Sequence, residues 1–251
     1  MKFMKKEWFE EEDFWVNYAP VIFDENRWSE APTVAQFVKD LAGLKKGQSV
    51  LDAGCGLGRI SVELGLLDLK VTGVDIIQSE LDAAKESADD EGVELELINC
   101  DLRNFNHKEK YDCVINLYTS FGYCDSPDDD LIILKNMCDA VKKGGTFIIE
   151  CLSRETAILD FTPGEEFERQ GIKVITDFSV VGAWEGLRSN WSLIFEDGNK
   201  IQHEFIQRLY PAAFLRDTIK SYGFSSVEVY GDFNKSPYNQ NARTMVIVAK
   251  K

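Results

Sequence analysis

Through its first 151 residues the chain alternates between short apolar runs and segments with helical spacing of apolar residues. Apolar positions at i, i+3, i+4 and i+7 indicate one buried helix face, whereas short continuous apolar runs are typical of buried strands. Strands that alternate with helices favour an α/β fold with a parallel sheet. The pattern predicts strands at 50–51, 70–75, 93–99, 111–118 and 146–151, and helices at 33–46, 57–67, 79–91 and from Ser126 onward.

The pattern changes at residues 165–210, where apolar and polar residues alternate with a period of two. Alternation of this kind is typical of antiparallel strands with one buried face. Three such strands are predicted, at 172–180, 187–195 and 201–209, as an insertion after the fifth strand of the core. A helix at 211–222 and strands at 226–230 and 244–250 then complete the core, which we place at 33–164 and 211–251.

Residues 1–32 combine aromatic side chains with a run of acidic ones. One interpretation is an amphipathic helix that packs on the domain. The other is a lid whose aromatic residues close over a cofactor or a substrate. The two interpretations are compatible.

A glycine-rich stretch follows the first predicted strand and precedes a predicted helix. A strand, a glycine-rich turn and a helix together form an arrangement that binds nucleotide-like cofactors, because glycine lets the ligand approach the backbone and the helix directs free N–H groups toward it. The glycines are Gly54, Gly56 and Gly58, with Asp52 two positions before the first of them. Arg59 stands where a dinucleotide-binding fingerprint would have its third glycine.

The pattern D-x-G-C-G-x-G at 52–58 resembles motif I of the class I S-adenosylmethionine-dependent methyltransferases. The order of elements over residues 33–251 is similar to that family as well. The resemblance implies a Rossmann-like, seven-stranded methyltransferase fold whose last strand is antiparallel. The inserted antiparallel β-sheet after strand 5 resembles small-molecule enzymes such as the glycine and amino-sugar N-methyltransferases.

Two acidic residues follow the second and third predicted strands. A carboxylate after the second strand can accept hydrogen bonds from both hydroxyls of a ribose. Asp75 occupies that position, and we expect it to be free for this because Ser79 and Asp82 supply a cap for the next helix. The resemblance implies that Asp75 holds the ribose and Asp101 the adenine of S-adenosyl-L-methionine.

The resemblance also implies the remaining cofactor contacts. Gly54 and Gly56 would lie against the methionine moiety, and Ile76 and Leu102 would flank the adenine ring. Aromatic rings of the predicted lid would face the sulfonium through cation–π attraction. The further predicted cofactor-binding residues are Tyr18, Trp28, Asp52, Cys55, Asn116 and Leu117.

Residues 116–123 follow the fourth strand, so they are expected to line the reacting centre. The segment Asn116-Leu117-Tyr118-Thr119 does not match the N-P-P-Y signature of adenine and glutamine N-methyltransferases. That substrate class is therefore not supported. The resemblance of the inserted sheet to small-molecule methyltransferases implies a small-molecule acceptor with an amine or hydroxyl group. Candidates for a base are Tyr118, Tyr123 and His203, and we expect no single base to dominate; His203 is expected to be a satisfied, partly buried side chain.

Composition narrows the classes of partner. A net charge of −15 argues against nucleic acid and anionic membranes. The six cysteines form no C-x-x-C pair, and there are two histidines, so we predict a cytoplasmic protein with reduced thiols and no metal site. We expect no signal peptide and no membrane span. The inserted sheet is a candidate interface for a homodimer.

Two other classes of function compete with a methyltransferase. A non-catalytic protein that binds S-adenosylmethionine would keep the pocket without an acceptor. An NAD(P)-dependent oxidoreductase is disfavoured because Arg59 replaces a glycine of the fingerprint and no set of hydride-transfer residues is recognisable. Within the main interpretation, an open pocket mouth would favour a protein-modifying methyltransferase.

Overall fold

The computed structural model describes residues 6–251, which form two β-sheets and the helices around them. The helices are a 3₁₀ turn at Trp8–Glu10 followed by α1 (Glu12–Ile22), α2 (Glu25–Ala42), α3 (Arg59–Leu66), α4 (Gln78–Asp90), α5 (Pro127–Ala140), α6 (Arg154–Leu159) and α7 (Ala212–Ser221). The strands are β1 (Ser49–Ala53), β2 (Lys70–Asp75), β3 (Leu95–Asn99), β4 (Tyr111–Asn116), β5 (Val141–Cys151), β6 (Gly164–Arg169), β7 (Ile172–Val181), β8 (Gly186–Ile194), β9 (Lys200–Arg208), β10 (Ser226–Tyr230) and β11 (Met245–Lys250).

The larger sheet has seven strands in the order β10-β11-β5-β4-β1-β2-β3. The strands from β1 to β5 are parallel, and β11 pairs antiparallel with both β5 and β10. Apolar residues of α2 and α3 cover one face of this sheet, and those of α5 and α7 cover the other. The predicted Rossmann-like sheet with an antiparallel last strand is confirmed.

The smaller sheet is antiparallel, with the order β6-β7-β8-β9, and follows β5 after the short helix α6. The predicted insertion is confirmed, but it has four strands rather than three. Strand β6 reads Gly-Glu-Glu-Phe-Glu-Arg and carries a single apolar side chain, so apolar alternation cannot reveal it. Its backbone pairing with β7 is what makes it a strand.

Two predicted helix starts are wrong. Helix α2 begins at Glu25 rather than Thr33, because Asp24 caps it by accepting a hydrogen bond from the Arg27 amide at 3.0 Å, and Pro32 lies within it. The predicted boundary at residue 32 therefore falls inside this helix. Helix α4 begins at Gln78 without a side-chain cap, so Ser79 does not play that part.

The N-terminal helices pack against the smaller sheet through a cluster of their own. Phe14, Tyr18 and Val21 of α1 are buried against Val174 and Leu193. The Tyr18 hydroxyl donates a hydrogen bond to the carbonyl oxygen of Trp191 at 3.0 Å. Residues 1–5 of the predicted lid lie outside the described residues.

An ion pair joins the same two parts of the chain. The guanidinium of Arg169, at the end of β6, lies 3.3 Å from the carboxylate of Asp24 and also donates to the Val21 carbonyl oxygen. The N-terminal segment and the inserted sheet therefore form one packed layer. Among the described residues, no helix is both long and apolar enough to cross a membrane.

Truncation of Phe14 tests this layer. Its ring is 2% exposed and stacks on Tyr18 with centroids 4.6 Å apart. We expect Phe14→Ala to lower the free energy of unfolding by about 3–5 kcal/mol, since it removes a buried ring and leaves a cavity. Thermal and denaturant unfolding measure the change.

The matched control for this truncation is Phe214→Ala, because the Phe214 ring is 43% exposed. It should cost well under half as much. Equal losses for the two variants would contradict the packing of α1 on the inserted sheet.

Candidate active site

A cleft of about 820 Å³ opens at the carboxyl ends of β1, β2 and β4. Its floor is the glycine-rich turn and the loops that follow these strands. Its roof combines the N-terminal segment with Trp191 and Phe205 of the inserted sheet. A cleft of this size and position suits a small-molecule ligand, since open α/β sheets bind ligands outside the carboxyl ends of their strands.

The glycine-rich turn carries the chain from β1 into α3 with three glycines at positive φ. At Gly58, with φ of 74°, an added Cβ would lie 2.7 Å from the Cβ of Ala84, so only glycine allows α3 and α4 to approach this closely. The amides of Gly54 and Cys55 both donate to the Val74 carbonyl oxygen, at 2.8 and 3.1 Å. The turn is thereby fastened to β2 and its backbone faces the cleft.

Asp52 and Asp75 stand at the ends of neighbouring strands and both line the cleft. Asp52 accepts a hydrogen bond from the Ser61 hydroxyl at 2.7 Å, and its burial raises the pKa to about 6. Asp75 accepts one backbone N–H on each oxygen, from Gly56 at 2.9 Å and from Ile77 at 3.0 Å. Asp75 is therefore held by the backbone rather than left free, although a carboxylate has further acceptor sites.

Asp101 lines the same cleft, but it is paired with Arg103. It accepts hydrogen bonds from the Arg103 amide at 2.8 Å and from Nε at 2.7 Å. The Arg103 guanidinium also pairs with Glu7 at 2.8 Å and with Glu10 at 2.6 Å. The loop after β3 is thus tied directly to the N-terminal segment, which explains how that segment stays over the cleft.

The other predicted cofactor contacts separate into two groups. Those that line the cleft are Gly54, Cys55, Gly56, Ile76, Leu102 and Leu117. Those that do not are Tyr18, Trp28 and Asn116. Tyr18 is fully buried against the inserted sheet, and Trp28 is 41% exposed in the first turn of α2, before the first buried residue of that helix. Asn116 is fully buried and donates to the Ala53 carbonyl oxygen at 2.7 Å, so it supports the end of β1.

The three candidate bases differ in whether they line the cleft. Tyr118 and Tyr123 line the cleft, and burial raises the pKa of Tyr118 to about 12 and that of Tyr123 further still. Strand β4 ends at Asn116 rather than at Tyr118, because Tyr118 and Thr119 take positive φ of 54° and 63°. His203 packs edge-on against Phe14 and Tyr18 and lies outside the cleft lining.

The charged residues that line the cleft and that sequence reasoning missed include Arg27, Arg59, Glu80 and Glu150. Arg59 is 6% exposed, with its guanidinium over the rings of Tyr118 and Phe23, and it donates to the Arg27 carbonyl oxygen. Glu150 accepts hydrogen bonds from the Tyr118 amide at 2.8 Å and from the Thr244 hydroxyl. Glu150 lies near the end of a predicted strand, and that position could have identified it as a residue of the cleft. Arg59 and Glu80 lie in first turns of helices, where charged residues are usually solvated.

Three carboxyl groups surround the turn: those of Asp52, Asp75 and Glu80. Burial raises the pKa of each, and the nearby Asp75 charge helps to raise that of Glu80 to about 8. Burial and these neighbours also raise the pKa of the Cys55 thiol. Within residues 6–251, no group of three or more metal-ligating side chains is arranged to hold a metal ion. The three groups therefore give the cleft several carboxyl oxygens beside the turn that can accept hydrogen bonds from a ligand.

Comparison with known proteins identifies the domain around this cleft. The family model described as "Methyltransferase domain" matches residues 50–145, from β1 into β5. The chain contains a methyltransferase domain. The predicted resemblance of this domain to the class I S-adenosylmethionine-dependent methyltransferases is consistent with that match and with the fold.

Solved structures share the fold along nearly the whole chain. The CcbJ methyltransferase from Streptomyces caelestis has a TM-score of 0.75 at 20% identity, over 88% of each chain. An S-adenosylmethionine-dependent methyltransferase from Clostridium acetobutylicum ATCC 824 has a TM-score of 0.74 at 18% identity, over 95% of this chain and 97% of that one. The sugar N-methyltransferase KedS8 from Streptoalloteichus sp ATCC 53650 has a TM-score of 0.69 at 17% identity, over 100% and 96%.

Curated relatives match shorter stretches. The tRNA (guanine(10)-N2)-dimethyltransferase of Methanothermobacter thermautotrophicus is 33% identical over 88 residues, 35% of this chain and 26% of that protein. The ubiquinone biosynthesis O-methyltransferase of Shewanella pealeana is 28% identical over 125 residues, 49% of this chain and 51% of that protein. The chain thus matches about a quarter of the first relative and half of the second.

Removal of Arg103 tests whether its ion pairs hold the N-terminal segment. We expect Arg103→Ala to lower the free energy of unfolding by about 2 kcal/mol, because it leaves Glu7, Glu10 and Asp101 as partly buried carboxylates without a counter-ion. Limited proteolysis should then cut the N-terminal segment faster. Lys135→Ala is the control, since it breaks an exposed helical pair with Asp139; equal proteolysis of the two variants would contradict the tether.

The raised pKa of Glu80 predicts a pH dependence of stability. Because the pKa is about 8 in the folded protein and 4.5 in a free side chain, the folded state keeps a proton that the unfolded chain releases between these values. The free energy of unfolding should therefore fall as pH rises from about 5 to 8, by roughly 2–4 kcal/mol from this group. Asp52 acts in the same direction up to about pH 6.

Denaturant unfolding at several pH values measures this slope. Glu80→Gln should flatten it, whereas Glu86→Gln, on an exposed site of the same helix, should leave it unchanged. The same slope in all three proteins would show that Glu80 is not the group responsible.

Proposed function

We propose that the protein transfers a methyl group from S-adenosyl-L-methionine to a small-molecule amine or hydroxyl. The proposal rests on one observation. The glycine-rich turn, Asp75 and Asp101 all line one cleft, and all belong to the matched methyltransferase domain. The carboxyl oxygens beside the turn can accept hydrogen bonds from the hydroxyl and ammonium groups of this cofactor. Position 54 requires glycine, since its φ is 78° and a Cβ there would lie 3.1 Å from the Cβ of Ser120.

Each part of the cofactor has suitable residues in reach of the cleft. Gly54 and Gly56 would lie beside the methionine moiety, and Asp75 would accept a ribose hydroxyl on its remaining lone pairs. Asp101 would accept from the adenine amino group, with Ile76 and Leu102 against the ring. Asp101 keeps acceptor capacity although Arg103 occupies part of it, so the pairing orients the carboxylate for this role.

When bound, the cofactor supplies a methyl group that its sulfonium already activates. The chain then has to align the acceptor and exclude water. The aromatic roof of Trp8, Trp191 and Phe205 serves the exclusion of water; Trp8 stacks on Phe205 with centroids 4.5 Å apart. The polar end of the cleft, with Tyr118 and Glu150, is where the acceptor would be oriented.

Among the described residues that line the cleft, no histidine or lysine is present to act as a base. A Tyr118 hydroxyl with a pKa of about 12 keeps its proton at neutral pH, so it is suited to donate a hydrogen bond. Glu150 is a buried carboxylate that already accepts two hydrogen bonds, and burial raises its pKa. We infer that the acceptor reacts as a neutral amine, or as a hydroxyl whose proton passes to Glu150 or to solvent.

A small-molecule acceptor is supported by the roof over the cleft. The N-terminal segment contributes Trp8, and the inserted sheet contributes Trp191 and Phe205, to the lining of the cleft, which limits the room for a macromolecule. The similar fold of a sugar N-methyltransferase is in keeping with this choice. The match to a tRNA-modifying enzyme covers 88 residues, and a net charge of −15 does not favour RNA. Location in the cytoplasm and assembly into a homodimer stay predictions.

Calorimetric binding tests the proposed cofactor. We expect micromolar binding of S-adenosylmethionine and of S-adenosylhomocysteine and no binding of NAD. Asp75→Ala should weaken binding by about ten- to a hundredfold, because it removes a charged acceptor of the ribose hydroxyls. Asp89→Ala, an exposed carboxylate on α4 paired with Lys85, is the matched control and should bind as the wild type does.

The remaining outcomes separate the competing functions. Binding of NAD alone would refute the methyltransferase and favour the oxidoreductase. Binding of S-adenosylmethionine without turnover of any amine, hydroxyl or thiol in an acceptor panel would favour the non-catalytic alternative.

A further inference from the structure

Glu80 is a carboxyl side chain in an unusual position. It lies in the first turn of α4, where an acidic residue normally points to solvent and interacts with the positive end of the helix dipole. Here the residue is 5% exposed. Glutamate is almost never so buried unless it is paired. Stabilisation of the helix therefore does not explain why Glu80 is buried at this position.

The surroundings of Glu80 supply no such pair. Within residues 6–251, Oε1 is buried without a hydrogen-bond partner, and no lysine or arginine forms a salt bridge with this carboxyl group. The charge of Asp75, which has the same sign, further raises the pKa of Glu80. An unpartnered buried carboxyl costs stability, so the protein retains an acceptor that its own residues do not use.

Glu80 is directed at the glycine-rich turn and lines the cleft. A Cβ built on Gly56 would lie 3.0 Å from Oε2, and the φ of 51° at that residue also favours glycine. The amide of Gly56 meanwhile donates to Asp75. The carboxyl groups of Asp75, at the end of β2, and of Glu80 therefore both lie beside Gly56.

We propose that Glu80 binds a ribose hydroxyl of the cofactor alongside Asp75, so that two carboxyl groups share the vicinal diol. The inference rests on the proposed cofactor. Asp75 already holds two backbone amides, which fix its orientation and use half of its acceptor sites. A second carboxyl group with an unused oxygen gives the second hydroxyl a partner, and the hydroxyl in turn satisfies Oε1.

A purely structural role for Glu80 leads to different expectations. If the side chain only stabilised the start of α4, its replacement by methionine would lower stability and leave ligand affinity nearly unchanged. If Glu80 is retained for the ligand, its replacement by an apolar side chain of similar length removes the stability cost of the unpartnered carboxyl group. Glu80→Met should then be as stable as the wild type or more so at pH 7.5, while it binds the cofactor more weakly.

The experiment combines side-chain and ligand changes. Calorimetry would measure the binding of S-adenosylhomocysteine and of its 2′-deoxy and 3′-deoxy analogues to the wild type, Glu80→Met and Glu80→Gln. The control is Glu86→Gln, and thermal unfolding monitors folding of each variant. Binding of the deoxy analogues to the wild-type protein gives a test that does not depend on the folding of any variant.

We expect Glu80→Met to weaken binding of S-adenosylhomocysteine by about ten- to a hundredfold, and Glu80→Gln by less, because an amide oxygen still accepts a hydrogen bond. The deoxy analogue that lacks the hydroxyl bound by Glu80 should bind the wild type more weakly than S-adenosylhomocysteine does, by a similar factor. In Glu80→Met the two ligands should bind with equal affinity. Such non-additivity is the signature of a direct contact.

Unchanged affinity in Glu80→Met would overturn the inference. So would a penalty for both deoxy analogues that is the same in Glu80→Met as in the wild type, since the hydroxyls would then be held by other groups. Failure of the wild type to bind S-adenosylhomocysteine at all would instead overturn the proposed function, and the inference with it.

Discussion

Buried carboxyl groups around a tight backbone turn are the constraint on which the site depends. Asp52, Asp75 and Glu80 come from two strand ends and one helix start, and all three line the cleft beside the turn at 54–58. The turn can lie there because its glycines tolerate positive φ and the close approach of α4. Backbone amides and one hydroxyl satisfy Asp52 and Asp75, which leaves Glu80 as the group with an unused acceptor.

The second half of the site comes from outside the seven-stranded sheet. The N-terminal segment and the inserted sheet pack on each other through Phe14, Tyr18 and Leu193 and are joined by the Arg169–Asp24 pair. Arg103 then ties this layer to the loop after β3. The cofactor half and the roof are thereby linked at Asp101, so that the same residue serves ligand recognition and the placement of the roof in the proposed function.

The two halves of the cleft differ in what they are built from. The half that is proposed to hold the cofactor consists of backbone and carboxyl groups within the matched methyltransferase domain. The half that is proposed to hold the acceptor combines aromatic rings with Arg59, Tyr118 and Glu150, which come from α3, the loop after β4 and β5. In the proposed function, these aromatic and guanidinium groups suit an acceptor that combines a flat or apolar part with polar substituents.

The sequence by itself determined the α/β alternation, the glycine-rich turn and the positions of Asp75 and Asp101, because each depends on local spacing and on the rule that ligands bind at strand ends. Only the tertiary structure decided that Trp28 lies outside the cleft and Glu80 inside it. Both residues occupy first turns of helices, and whether such a residue is solvated depends on which helix face meets the sheet. Strand β6 likewise depends on pairing with β7, since its charged sequence carries no pattern of its own.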